Sequence, residues 1–192
     1  MRVLDLVLPE RCAICAMPGR ALCERCATSL ARLAPPVCDR CGSPGPWPVR
    51  RCAECAGRRL AFASARSAIV AEVLPPAPVV ALVPVPGDPE RAWERGDIPA
   101  RSLAIELGYA WGLPSLDVLV RTRALRPQRG LSLGERRRNV RGSVGTVDGV
   151  PREVCVVDDV YTSGATVDAC ARACRSAGAR VVRVVTFARA VR

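Results

Sequence analysis

The sequence contains no histidine and no lysine. Without histidine there is no Ser-His-Asp or Cys-His nucleophilic site and no metal centre that needs imidazole. Without lysine, all 29 basic residues are arginine, set against 18 acidic ones for a formal net charge of +11. Such an excess favours phosphate-bearing partners and says little about fold. A compositional bias of the source genome accounts equally well for the exclusive use of arginine. Aromatic residues make up only 4%, so the core has to be packed from Val, Ala and Leu. Long apolar runs are also missing. The opening MRVLDLVLPERC has a short apolar patch broken by Asp5, well below a signal h-region or a spanning helix. The expectation is a cytoplasmic protein with no membrane insertion. A length of 192 residues suffices for one ordinary α/β domain and a small appendage.

Cysteine is abundant and unevenly placed. Of 11 cysteines, eight lie in CxxC pairs: Cys12/Cys15, Cys23/Cys26, Cys38/Cys41 and Cys52/Cys55. Each pair is a knuckle whose two thiolates converge on one ion, and a tetrahedral structural zinc needs two knuckles. Eight ligands therefore imply two zinc ions. Pairing in sequence order is the simplest scheme, and interleaved pairing is the alternative. Disulfides belong to oxidising compartments, and redox CxxC motifs usually come singly in a βαβ context, so four repeats favour zinc. The head has too little apolar content for a core of its own, so chelation is expected to unfold it. Within it, GSPGPWPV at residues 42–49 reads as a loop whose Trp47 either packs beneath the second knuckle or stacks a base, with packing favoured.

The organising stretch is VCVVDDVYTSGAT, residues 154–166. Val154, Cys155, Val156 and Val157 form an apolar run suited to a strand buried on both faces, as in a parallel sheet. Asp158 and Asp159 follow at its carboxyl end. Thr162, Ser163, Gly164, Ala165 and Thr166 then turn into a helix; small side chains let the backbone amides approach an anion, and the helix N-terminus adds its dipole. Adjacent acids at a strand end are costly unless a ligand, metal or solvent meets them. Downstream, Val167, Cys170, Ala171 and Cys174 recur at helical spacing and read as a buried face, with Gly178 closing the helix. RVVRVVTFA, residues 180–188, reads as the last strand.

The middle of the chain supplies the remaining elements. Residues 60–73 suit a strand or two, and VVALVPVPGD at 79–88 suits a central strand whose prolines end its ladder. Residues 89–112 read as helical, with Leu103, Leu107, Ala110 and Trp111 on one face, and 116–120 as a further strand. RTRALRPQRGLSLGERRRNVRG, residues 121–142, is arginine-rich with almost no apolar periodicity. It reads as a solvated basic loop or as a mobile flap that closes over a polyanion.

The 154–166 segment resembles the signature of the type I phosphoribosyltransferases. That resemblance implies that Asp158 and Asp159 contact the ribose hydroxyls of phosphoribosyl pyrophosphate, bound with magnesium, and act as the catalytic acids, while Thr162, Ser163, Gly164, Ala165 and Thr166 hold the 5′-phosphate. It also implies a pyrophosphate loop near Gly87 and Asp88 and a catalytic loop within residues 121–142. The cysteine-rich head joined to such a domain resembles the ComF family. LDLVLPERCAIC, VPVP ahead of Arg95-Gly96, and the run Thr122, Gln128, Arg136, Asn139, Gly142 carry that resemblance across nearly the whole chain. Two features depart from it: only a short segment joins Phe62 to Val83, without the lysine-tyrosine pair, and Asp97-Ile98 follow Arg95-Gly96.

The fold expected is α/β, a type I phosphoribosyltransferase-like parallel sheet with flanking helices at residues 60–192. A double zinc-binding domain precedes it at 1–59. Arg95 and Arg136 join the ligand-binding set. The family implies binding of phosphoribosyl pyrophosphate or a related ribose phosphate, single-stranded DNA in DNA uptake, and competence helicase and DNA-processing partners. The alternative is an active phosphoribosyltransferase with a nitrogenous acceptor.

Overall fold

The computed structural model describes residues 15, 17–18, 23–29, 36–67, 79–87, 99–123, 133–140 and 142–190. The chain divides into two compact units, residues 1–32 and 33–192. The first unit contributes α1 (Glu24–Ser29) and the cysteines Cys15, Cys23 and Cys26. All other described elements belong to the second.

In the second unit the chain begins with a cysteine ribbon. The Cys38/Cys41 knuckle closes through the Gly42 amide donating to the Cys38 carbonyl at 2.8 Å, and the Cys52/Cys55 knuckle through the Ala56 amide donating to the Cys52 carbonyl at 2.8 Å. Gly42 has φ 69°, and a Cβ there would lie 2.9 Å from the Ala65 carbonyl oxygen, so only glycine lets the ribbon come this close to the next strand. The Ala65 amide completes that contact by donating to the Arg40 carbonyl at 2.9 Å. Trp47 does not pack beneath the knuckle: it lies between Pro46 and Pro48 and is 69% exposed.

The main sheet has four parallel strands in the order β1 (Ala65–Ser67), β6 (Val181–Arg189), β5 (Glu153–Tyr161), β2 (Ala81–Pro84). Beyond β2 the chain at Ser115 adds a parallel bridge to Leu82, so β2 is central, as its unbroken burial requires. β5 is longer than the apolar run suggests. It continues through both aspartates to Tyr161, because β6 offers register partners as far as Arg189.

The two faces of the sheet are covered by different helices. Val83, Val154, Val156, Val182 and Val184 share one buried cluster with Val167, Cys170, Ala171 and Cys174 of α4 (Ala165–Ser176). Leu82, Cys155, Val157 and Val185 share another with Ala104 and Leu107 of α2 (Pro99–Trp111). Successive residues of β5 thus feed opposite layers, as strand geometry dictates. The α4 face is the one its spacing predicts. Its C-cap is Ala177, one residue before the expected Gly178. On α2 the buried face is Ala100, Ala104, Leu107 and Gly108, with Leu103 and Trp111 partly buried and Ala110 exposed. Gly108 is needed at its position because a Cβ there would lie 2.8 Å from the Leu113 carbonyl oxygen.

A second, two-stranded antiparallel sheet pairs β3 (Leu119–Arg121) with β4 (Val144–Thr146), and α4 touches both sheets. Between β3 and β4 lies α3 (Leu133–Val140). The arginine-rich segment is therefore not loop throughout: it holds one short helix anchored by Val140, which is 1% exposed. Residues 124–132 and 141 lie outside the described residues.

Candidate functional site: two cysteine clusters and an anion loop

The cysteines form two separate groups. Cys38, Cys41, Cys52 and Cys55 present four sulfurs within 4.8 Å of one another, and Cys15, Cys23 and Cys26 present three. Cys12 lies outside the described residues. This grouping selects pairing in sequence order over the interleaved scheme. Sulfur separations are 3.7 Å for Cys38–Cys55, 3.4 Å for Cys41–Cys52, 3.9 Å for Cys52–Cys55 and 3.7 Å for Cys15–Cys23. A tetrahedron with Zn–S bonds of about 2.3 Å has edges of about 3.8 Å, so the donor sets fit zinc. No described cysteine is in a disulfide. In the four-cysteine group burial opposes ionisation of Cys38, but backbone contacts from Cys41, Cys52 and Arg40 and the Cys55 thiol outweigh it and bring the thiol down to about 7. Burial and the neighbouring Cys38 push Cys55 up to about 11. A zinc ion would remove this asymmetry by holding every ligand as thiolate. The three cysteines of the core, Cys155, Cys170 and Cys174, are buried and belong to neither group.

The second constellation lies at the carboxyl edge of the main sheet, where ligands of open α/β sheets bind. Pro84 of β2 stands in register with Val157 of β5, and the Val85 amide donates to the Val157 carbonyl at 2.8 Å. The loop carrying Pro86 and Gly87 therefore leaves the sheet beside the two aspartates. Asp158 Oδ1 accepts from the Asp159 amide at 3.1 Å, and Asp159 Oδ1 from the Val160 amide at 2.7 Å. Burial, then the Asp159 charge, hold the Asp158 carboxyl well above the usual carboxylate range, while Arg121 pulls the other way. Gly164 follows at φ 69°, ψ 9° and caps α4 without a side-chain bond from itself. Ser163, 7% exposed, turns its Oγ toward the Ala165 amide at 3.3 Å. Thr162 and Thr166 remain partly accessible at either end of the loop.

Arg121 opens the basic segment of residues 121–142, and the structure gives it a definite place. Its Nε donates to the Pro86 carbonyl at 3.1 Å, its Nη1 is buried with no hydrogen-bond partner, and its charge acts on Asp158. Only the position of Arg121 directly after the apolar pair Leu119-Val120 could have signalled this. Arg95 and Asp88 lie outside the described residues, and Arg136 is described only by its place on α3. Asn139, also on α3, gives its carbonyl to Arg123 Nη2 at 2.8 Å, and Thr122 Oγ1 donates to the Gly142 carbonyl at 3.0 Å. The first bond ties α3 to the chain just past β3, and the second ties that chain to the residues just before β4.

Fold and clusters together define a zinc-ribbon protein with a parallel α/β domain. Residues 3–58 match the family model of the double zinc ribbon domain. Over 115 residues the chain is 34% identical to Competence protein F of Haemophilus influenzae, a match that covers 57% of this chain and 50% of that protein. The chain thus spans about half the length of the curated relative it matches. Both matches fit the resemblance to the ComF family. No helix among the described residues is long and apolar enough to cross a membrane.

Proposed function

We propose that the chain binds phosphoribosyl pyrophosphate, or a related ribose phosphate, together with magnesium, and that it handles single-stranded DNA during uptake or processing. The observation that carries the ligand reading is the convergence of Asp158, Asp159, the 162–166 loop and the Pro86-Gly87 loop at one edge of a parallel sheet. The donor set fits the ligand: carboxylates for ribose hydroxyls or a cation, a small-residue turn leading into α4 for a phosphate, and an arginine with a free nitrogen for a second phosphate. Magnesium would supply neutralisation of the pyrophosphate charge. The chain's own part is to orient the ribose through Asp158 and Asp159 and to hold the 5′-phosphate on the loop. Neither task needs a side-chain nucleophile, in keeping with the absence of histidine.

The DNA reading rests on the net charge of +11 and on the relative's name as a competence protein. Competence helicase and DNA-processing proteins are the partners this reading implies. The alternative is an active transferase that moves ribose 5-phosphate from phosphoribosyl pyrophosphate to a nitrogenous acceptor in nucleotide metabolism.

A thermal-shift comparison tests the ligand reading. Phosphoribosyl pyrophosphate with saturating magnesium should raise the Tm of the wild type and leave the Asp158→Asn/Asp159→Asn variant unmoved; no shift in the wild type overturns it. Affinity of the same variant for an oligothymidylate should be unchanged and should fall steeply with salt, through counterion release. A flat salt response removes the DNA reading.

A further inference from the structure

Arg189 is the last residue of β6, and its side chain is 1% exposed. A cation buried this deeply needs acceptors on every side. Those acceptors come from the second cysteine ribbon. Nη1 donates to the Cys41 carbonyl at 2.6 Å, and Nη2 lies 3.9 Å from Cys41 Sγ and pairs with the Glu54 carboxylate. The remaining nitrogen, Nε, is buried without a partner. On its other side the guanidinium sits 4.5 Å from the centroid of the Tyr161 ring, its register partner in β5.

Tyr161 passes the contact on. It is 2% exposed, and its Oη is buried with no hydrogen-bond partner. A Cβ built at Gly164 would lie 2.2 Å from that Oη and 2.6 Å from Cζ. The tyrosine ring is therefore the floor against which the left-handed Gly164, the cap of α4 in the anion loop, is seated. One unbroken line of van der Waals and polar contacts runs from Cys41 through Arg189 and Tyr161 to Gly164.

We propose that Arg189 and Tyr161 are positioning residues that make the second zinc centre the brace of the anion loop, so that loss of zinc from Cys38, Cys41, Cys52 and Cys55 weakens ligand binding at Gly164. The physical reason lies in the cost of the buried guanidinium. A tetrathiolate zinc centre is net anionic and fixes both the Cys41 carbonyl and the knuckle that carries Glu54. When that centre comes apart, Arg189 loses its acceptors, and a buried cation left in that condition turns out toward water. The Tyr161 ring then loses the face that holds it, and the loop loses its floor. The affinity consequence rests on the ribose-phosphate reading above; the mechanical consequence does not.

The test uses the zinc-loaded full chain and two readouts. Amide hydrogen exchange is followed by mass spectrometry at residues 160–167, with residues 154–157 as an internal reference. Binding of phosphoribosyl pyrophosphate with magnesium is followed by calorimetry. Arg189→Met should speed exchange of the loop about tenfold relative to the strand and weaken Kd about tenfold, a coupling of ordinary size. Arg189→Lys, which keeps the charge without the fork, should fall between. Glu54→Gln, at a more exposed position, removes one arm without emptying the core and should give about a threefold change in each readout. It decides the question if Arg189→Met does not fold. Loop exchange equal to wild type in both Arg189→Met and Glu54→Gln overturns the brace. If the wild type does not bind phosphoribosyl pyrophosphate, the ligand reading falls while the exchange comparison still judges the brace. If it binds and both variants bind equally well, the brace falls and the ligand reading stands.

Discussion

The carboxylate of Asp168 accepts a hydrogen bond from the backbone amide of Ala61 at 2.6 Å, joining residues 107 positions apart. Its second oxygen pairs with Arg172 one turn later, and Arg172 in turn donates to the Arg59 carbonyl at 2.7 Å. The segment leaving the second ribbon is thus fastened to the first turns of α4, the helix that follows the 162–166 loop. Asp168→Ala leaves a backbone donor unpaired and should lower the unfolding free energy by about 1–3 kcal/mol. Urea denaturation gives the number, and a loss under about 0.5 kcal/mol would mean that water replaces the bond at no cost.

Asp158 is ionisable in a place that resists ionisation. Because burial and Asp159 raise its folded pKa, the folded chain holds a proton that the unfolded chain has already released. Stability that this proton contributes is complete below the unfolded value of about 3.9 and is lost as pH rises through the folded value. Asp158→Asn should therefore be more stable than wild type at pH 8, by about 1 kcal/mol, with the gap closing toward pH 4. Thermal melts across that range check the sign. The same variant should lose the ligand-induced shift, which would mark the carboxylate as one retained for binding at a cost in stability.

Much of this arrangement is legible from residue order because the relevant forces are local. Val154, Cys155, Val156 and Val157 announce a strand buried on both faces, and Val167, Cys170, Ala171 and Cys174 a helix with one buried side; both are found as read. The extension of β5 through Asp158 and Asp159 was not legible, since acids argue against strand until a neighbour such as β6 offers a ladder. α3 was hidden for a related reason. Its arginines give no apolar period, and its anchor is the single residue Val140. Arg121, Tyr161 and Arg189 owe their roles to contacts with Pro86, Gly164 and Cys41, which no spacing rule reaches.

Arg121 holds the Pro86 carbonyl with Nε and leaves Nη1 buried and unpartnered near the aspartates. A free guanidinium nitrogen in that position is suited to a phosphate oxygen. Arg121→Met should weaken binding of phosphoribosyl pyrophosphate with magnesium by about 10- to 100-fold, the size of a lost charge-assisted bond. It should also carry the Asp158 carboxyl still higher, because the opposing Arg121 charge is gone. Calorimetry measures the first effect. Arg121→Lys, which keeps charge but not the fork, should recover only part of it.

Zinc removal should reach beyond the ribbon. Cys38, Cys41 and Cys55 belong to the same buried cluster as Phe62, Val154, Val156 and Val184, and Gly42 lies against Ala65 of the edge strand β1. A chelator should therefore lower the unfolding midpoint of the sheet itself, not only that of the cysteine-rich segment. At free zinc about 1,000 times its Kd the lost stabilisation is about 4 kcal/mol. Far-ultraviolet circular dichroism during a melt, with and without chelator, reads the effect. An unchanged midpoint for the strand signal would show that the second ribbon rides on the sheet without supporting it.

Gly164 is the position at which the loop tolerates least. Its φ of 69° already disfavours a side chain, and a Cβ would meet the Tyr161 hydroxyl at 2.2 Å. Tyr161 has nowhere to retreat, since Arg189 covers its face and the residue is 2% exposed. Gly164→Ala should therefore cost about 2–4 kcal/mol, made up of backbone strain and overpacking. The two causes separate by substitution. Tyr161→Phe removes the nearest atom but leaves Cζ 2.6 Å from the added Cβ, so it should relieve only part of the cost, whereas Tyr161→Leu should relieve more in the Gly164→Ala background. A double-mutant cycle on urea unfolding measures that relief. Independent, additive losses in the cycle would mean that the loop moves away from the ring at little cost and that the left-handed backbone alone demands glycine.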